Sequence, residues 1–284
     1  MRWKGRRQSS NVEDRRGRRM GRGAAVGGGG IIMALVAIFL LGQDPGIVMQ
    51  QMQKQQAQQQ RQQPQQQGEY RGSAQEEEIK RFVSTVLADT EDTWNAVFQK
   101  AGYRYQAPKL VLYTDMTPTA CGTGQAASGP FYCPGDQKAY LDLSFLNELR
   151  RMGAQGDFAV AYVLSHEVGH HIQTITGTAA KVRQYQARAS KEQANAMQVK
   201  MELQADCYAG IWANHTQQRT GMLEEGDLEE ALNAAAAVGD DTIMKKAGRV
   251  PRKEQFTHGT SQQRMEWFAR GMQSGEIGAC DTGI

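Results

Sequence analysis

The sequence predicts a mainly helical α+β domain with a small sheet ahead of a histidine-bearing helix, preceded by one transmembrane helix. Three observations predict it. Residues 23–42 form an uncharged run of 20 after a strongly basic start; two β-prone runs, 109–114 and 138–143, precede a cluster of histidines; and the chain beyond them repeats apolar residues at helical spacing.

Residues 1–22 hold nine Lys or Arg against Glu13 and Asp14, a charge of +7, whereas the whole chain is only +3 and the remainder therefore −4. The basic character is a local tail. About 20 apolar residues span a bilayer as a helix. Residues 31–41 are the strongly apolar part, and no small-x-small cleavage site follows, so 23–42 reads as an uncleaved anchor rather than a signal peptide. Basic residues flanking a first span stay cytoplasmic, which puts the remainder of the chain across the membrane. With the tail assigned to topology, a nucleic-acid partner is not expected.

Residues 43–68 read as a linker, because 13 of the 18 positions in 50–67 are Gln and have almost nothing to bury. The folded domain then spans 69–284. Its four cysteines, Cys121, Cys133, Cys207 and Cys280, fit an oxidising compartment and two disulfides. Three pairings are possible. Cys121 with Cys133, bracketing a Gly/Ser-rich loop, and Cys207 with Cys280 is the expected one.

Within the domain, apolar residues from Ile79 to Phe98 recur at helical spacing over 77–101. A helix is expected from Asp157, a capping residue, to Gly177, a stop signal. Ser190-Lys-Glu-Gln193 is a capping box that opens another helix running to about Gly221. A further helix covers 225–247, and a last one starts at the capping box Thr260-Ser-Gln-Gln263.

The chemistry sits in the first of these later helices. His166 and His170 are four apart and so share a helix face, with Glu167 directly after the first. This is H-E-x-x-H, two imidazoles able to reach one metal ion and a carboxylate beside them. A hydrolytic zinc site needs a third protein ligand and leaves one position to water. The extended metzincin pattern is closed, since Gln173 and Thr176 stand where Gly and His are required. Further on, Glu202 and Asp206 are also four apart on one helix, with the small Ala205 between them.

That Glu-x-x-x-Asp pair resembles the second element of gluzincin peptidases. Cys121-Gly, Gly129-Pro-Phe-Tyr-Cys-Pro134, Tyr140-Leu-Asp-Leu143, Ser165-His-Glu-Val-Gly-His-His171, Glu202-Leu-Gln-Ala-Asp-Cys207 and Phe256-Thr-His-Gly259 together resemble the bacterial membrane-anchored neutral zinc metallopeptidase family, over essentially the whole chain. The resemblance implies a zincin-like fold and one Zn2+ held by His166, His170 and Glu202. It implies that Asp206 accepts a hydrogen bond from a ligand imidazole. It also implies a peptide or protein substrate, and an inner-membrane protein with a periplasmic domain.

In that frame Glu167 is the general base, and His258, in a loop before the last helix, is the candidate for stabilising the oxyanion. Tyr140 is a weaker candidate for the same task. His171 lies about 100° around the helix from the His166/His170 face and is expected to pack; His215 has no evident partner. The strand carrying Tyr140 is either the edge that pairs with an extended peptide or an interior strand. The rival to an endopeptidase is a catalytically silent, zinc-containing envelope scaffold. A structural zinc site has no need of Glu167, which favours the enzyme.

Overall fold

The computed structural model describes residues 1–17, 70, 72–125 and 129–284. Met1–Arg16 and Gly72–Ile284 form one unit; a second unit, Gly17–Arg71, has only residues 17 and 70 described.

A four-stranded sheet of order β1-β2-β6-β5 is made of β1 (Val12–Asp14), β2 (Lys109–Tyr113), β5 (Phe131–Cys133) and β6 (Lys138–Asp142). The β1–β2 and β2–β6 pairs are parallel, with Leu112 opposite Leu141, and β5 runs antiparallel to β6. A separate hairpin joins β3 (Met116–Thr119) to β4 (Gly122–Gln125). The hairpin and β5 are the two sides of the expected loop, and the Cys121–Cys133 disulfide ties them together. The Tyr140 strand is interior, between β2 and β5, and β5 is one of the two edges of the described sheet, β1 being the other.

The helices are α1 (Ala74–Lys100), α2 (Phe145–Arg151), α3 (Asp157–Ile175), α4 (Thr178–Gln186), α5 (Lys191–Thr220), α6 (Asp227–Ala237), α7 (Asp240–Lys246) and α8 (Ser261–Ser274). Both expected capping boxes form, at Ser190 and Thr260, and Gly177 ends α3 with a left-handed backbone. Helix α3 is the central element, with its flanks covered by α1, α5 and α6, so Phe158, Ala161, Tyr162 and Val168 are fully buried. Trp212 of α5 stacks on Phe158, and Phe268 of α8 meets Tyr162 edge-on. Where α3 crosses α5, Gly169 faces Ala205: a Cβ on Gly169 would lie 3.0 Å from the Ala205 backbone. The two small residues set how closely the two helices carrying His166 and Glu202 approach. The Cys207–Cys280 disulfide fastens α5 to the C-terminal segment.

The helix expected over 225–247 is instead two, α6 and α7, separated at Val238 and Gly239. The cause is tertiary. Asp240 Oδ2 accepts the backbone N–H groups of Thr257, His258 and Gly259, so the chain turns there to hold the loop before α8.

The transmembrane helix is a correction. No helix among the described residues is long and apolar enough to cross a membrane, and the run 23–42 lies outside the described residues. The charge that suggested a cytoplasmic tail has another use. β1 extends the sheet, and Arg16, 2% exposed, pairs with Asp14 and Glu77. Arg7 pairs with Glu91 and Asp92 on α1, and the Met1 ammonium lies among Asp157, Asp227 and Glu224. These cations neutralise an acidic face of the same unit, so residues 1–16 pack as part of it.

Candidate active site

His166 and His170 project from one face of α3 because they are one turn apart. Glu202 comes from α5, held opposite by the Gly169–Ala205 crossing. The Nε2 atoms of His166 and His170 lie 3.2 and 3.5 Å from Glu202 Oε2, and all three side chains offer a ligand atom within 4.8 Å of one another. The imidazole planes are nearly perpendicular, at 87°.

Each of the three is oriented from behind. Nδ1–H of His166 donates to Asp206 Oδ1 at 2.7 Å. Nδ1–H of His170 donates to Gln173 Oε1 at 2.9 Å, and the Gln173 amide is fixed by donating to Met201 O and Gln204 Oε1. Gln198 Nε2 donates to Glu202 Oε1 at 2.9 Å, leaving Oε2 for the centre. Two Nε2 lone pairs and a carboxylate oxygen therefore converge with their tautomers set, which is how histidine and carboxylate ligands are presented to a metal. Two imidazoles and one carboxylate form a set that suits zinc, and the residues present fit such an ion.

Asp206 is fully buried and holds more than the histidine. It accepts from Tyr162 Oη at 2.6 Å and from Arg264 Nε and Nη2 at 2.8 and 2.9 Å. Arg264, from α8, is 3% exposed. Sequence reasoning missed it, as it missed the tasks of Gln173 and Gln198.

The electrostatics follow from these contacts. Burial opposes ionisation of Asp206, but Arg264 and His166 overcome it and bring its pKa to about 2. Burial opposes charge on His166 as well, yet Asp206 and Glu202 hold it up to about 10 in the metal-free site. Burial raises the Glu167 carboxyl above its ordinary value, with His170 and His166 pulling the other way.

The site opens on a cleft of about 1040 Å³ lined by Glu167, His166, His170 and Glu202, with Phe131 and Tyr132 of the edge strand among its walls. His258 lines it too. Its ring Nδ1 is 3.2 Å from Asp240 Oδ1, and the side chain is 48% exposed. Tyr140 does not join the cleft: it is 1% exposed, stacked on Phe131, and donates to Asp136. His171 is fully buried, and burial lowers its pKa. As a neutral ring it donates from Nε2 to Gln106 O and accepts at Nδ1 from Tyr132 Oη, tying the edge strand to α3. His215 donates to Gly275 O at the end of α8.

Fold and site together bring an H-E-x-x-H helix against a glutamate on a second helix, a group of residues that could hold a metal ion. The family model described as "Putative neutral zinc metallopeptidase" matches residues 1–283, and the chain belongs to that family. It is 47% identical over 300 residues to the "Uncharacterized protein YpfJ" of Escherichia coli strain K12, covering 99% of this chain and 98% of the relative. It is 36% identical over 254 residues to the "Uncharacterized protein Rv2575" of Mycobacterium tuberculosis strain H37Rv, covering 86% and 84%. No solved structure matches it.

Proposed function

We propose that the protein is a zinc-dependent endopeptidase, and the observation that carries the reading is Glu167 in the cleft directly beside an oriented His166, His170 and Glu202 set. Zinc held by these three residues would acidify a water molecule and polarise the scissile carbonyl. Glu167 takes the water's proton and passes it to the leaving amine; its raised pKa suits a base that must also release a proton. His258, steadied at Nδ1 by Asp240, keeps Nε2 for the developing oxyanion. The edge of β5, which pairs with no further strand among the described residues, holds the extended substrate by main-chain hydrogen bonds. The two disulfides support an oxidising compartment for the domain.

The test is zinc content and peptide cleavage for the full chain, wild type beside Glu167→Gln. Zinc in both with cleavage only in the wild type supports the endopeptidase. Zinc in both with no cleavage of a broad peptide library by either rejects it in favour of a zinc-containing scaffold.

A further inference from the structure

The wall of the cleft formed by α4 carries a charge that the proposed hydrolysis does not use. Ala179, Arg183 and Gln186 all line the cleft, at the i, i+4 and i+7 positions of one helix face. Gln186 donates to Gln198 Oε1, and Gln198 donates to Glu202, so this wall connects to the metal-ligand set through two amides.

Apart from Glu167, the other ionic groups along the cleft are matched. Arg151 pairs with Glu148, Arg264 with Asp206 and His258 with Asp240, while Glu202 faces the two histidines. Among the described residues, Arg183 is the cleft cation whose guanidinium has no hydrogen-bond or ion-pair partner. Its surroundings do not supply one. Residues 168–191 contain Lys181, Arg183, Arg188 and Lys191 and no Asp or Glu. That run is +4 in a chain that is −4 outside its first 22 residues, and Arg183 is the member of it that lines the cleft, Lys181 and Arg188 lining a separate pocket. An unpartnered cation in a cleft wall attracts the opposite charge, and a guanidinium grips a carboxylate through two parallel hydrogen bonds.

We infer that Arg183 is a specificity-determining residue that binds a carboxylate of the substrate, so that the site selects peptides with Asp or Glu on the α4 side of the scissile bond. This rests on the peptidase reading of the same site. Only the carboxylate of the peptide and the guanidinium of Arg183 take part, and no bond is made or broken between them.

The test uses the zinc-supplied full chain and internally quenched peptides in which one position at a time, on either side of the cleaved bond, is Glu, Gln or Lys. The wild type is expected to cleave a Glu peptide about tenfold faster in kcat/KM than its Gln twin at one position, the range of a partly solvated charge-assisted hydrogen bond. Arg183→Gln should flatten that preference, and Arg183→Glu should turn it toward Lys, with zinc content unchanged in both. Equal cleavage of Glu and Gln twins at every position, or a Glu preference that survives Arg183→Glu, overturns the inference and leaves the peptidase standing. Should no peptide be cut, hydrolysis itself fails. The inference is then decided by anisotropy of the labelled Glu and Gln peptides on the Glu167→Gln protein, with and without Arg183→Glu. Tighter binding of the Glu peptide that Arg183→Glu removes supports it; equal binding overturns it.

Discussion

Replacing Asp206 by Asn separates two tasks that one buried carboxylate performs. Asp206 receives donors from Tyr162, His166 and Arg264 on Oδ1 and a further Arg264 donor on Oδ2. Asn has the same shape but must turn its NH2 toward one of these donor groups, so donor meets donor. It also removes the charge that balances Arg264, which is 3% exposed. Breaking a buried ion pair at one partner costs about 3–5 kcal/mol, and losing the hydrogen bond behind a ligand histidine costs about 10–100-fold in metal affinity. Urea unfolding of the chelator-treated protein reads the first quantity, and competition with a chromophoric chelator reads the second. The double variant Asp206→Asn/Arg264→Met removes the stranded cation. It is expected to regain most of the lost stability while zinc binding stays weak. An Asp206→Asn protein within about 0.5 kcal/mol of wild type, the range of an inconsequential surface change, with unchanged zinc affinity, would refute the reasoning. So would a double variant no more stable than the single one.

Other outcomes follow from the same contacts. Because His166 is raised from 6.5 to about 10 without metal, its protonated form stabilises the metal-free protein fully below about pH 6.5, and that contribution is lost as pH rises through about 10. Zinc must displace those protons, so calorimetry in two buffers of different ionisation heat should show proton release at pH 7; none would contradict the assignment. Opening the Cys207–Cys280 bond, which spans 73 residues, should cost about 4 kcal/mol by loop entropy, against about 3 for Cys121–Cys133, which spans 12. Equal effects in urea unfolding of the two double-Ser variants would count against that ordering. Deleting residues 1–16 exposes the edge of β2 and strips Glu77 and Glu91 of Arg16 and Arg7. The urea midpoint should fall, and an unchanged midpoint would mean that the N-terminal strand contributes nothing.

The two helix-face pairs were legible in the sequence because i, i+4 spacing decides a helix face, and His166/His170 and Glu202/Asp206 both have it, whereas the meeting of Glu202 with the histidines came only from the family resemblance. Arg264 was not: it lies 58 residues from Asp206, and nothing local marks an arginine that will be buried. Gln173 carries a signal, since three residues after His170 on the same helix its amide can reach the His170 ring. The order of strands is also nonlocal. Alternation around Tyr140 shows a strand and cannot show that β5 lies outside it. β1 was hidden for a different reason: Val12–Asp14 is too short and too charged to show a pattern, and the arginines around it read as a topology signal. Their partners, Asp14, Glu77, Glu91 and Asp92, are mostly distant carboxylates on α1.

The most direct measurement is zinc titration into the chelator-stripped protein while following hydrolysis of a peptide library. No hydrolysis is expected before zinc, with recovery that saturates at one equivalent in the wild type and none at any zinc level in Glu167→Gln. Hydrolysis that survives stripping, or that returns equally in Glu167→Gln, would contradict the zinc-dependent endopeptidase.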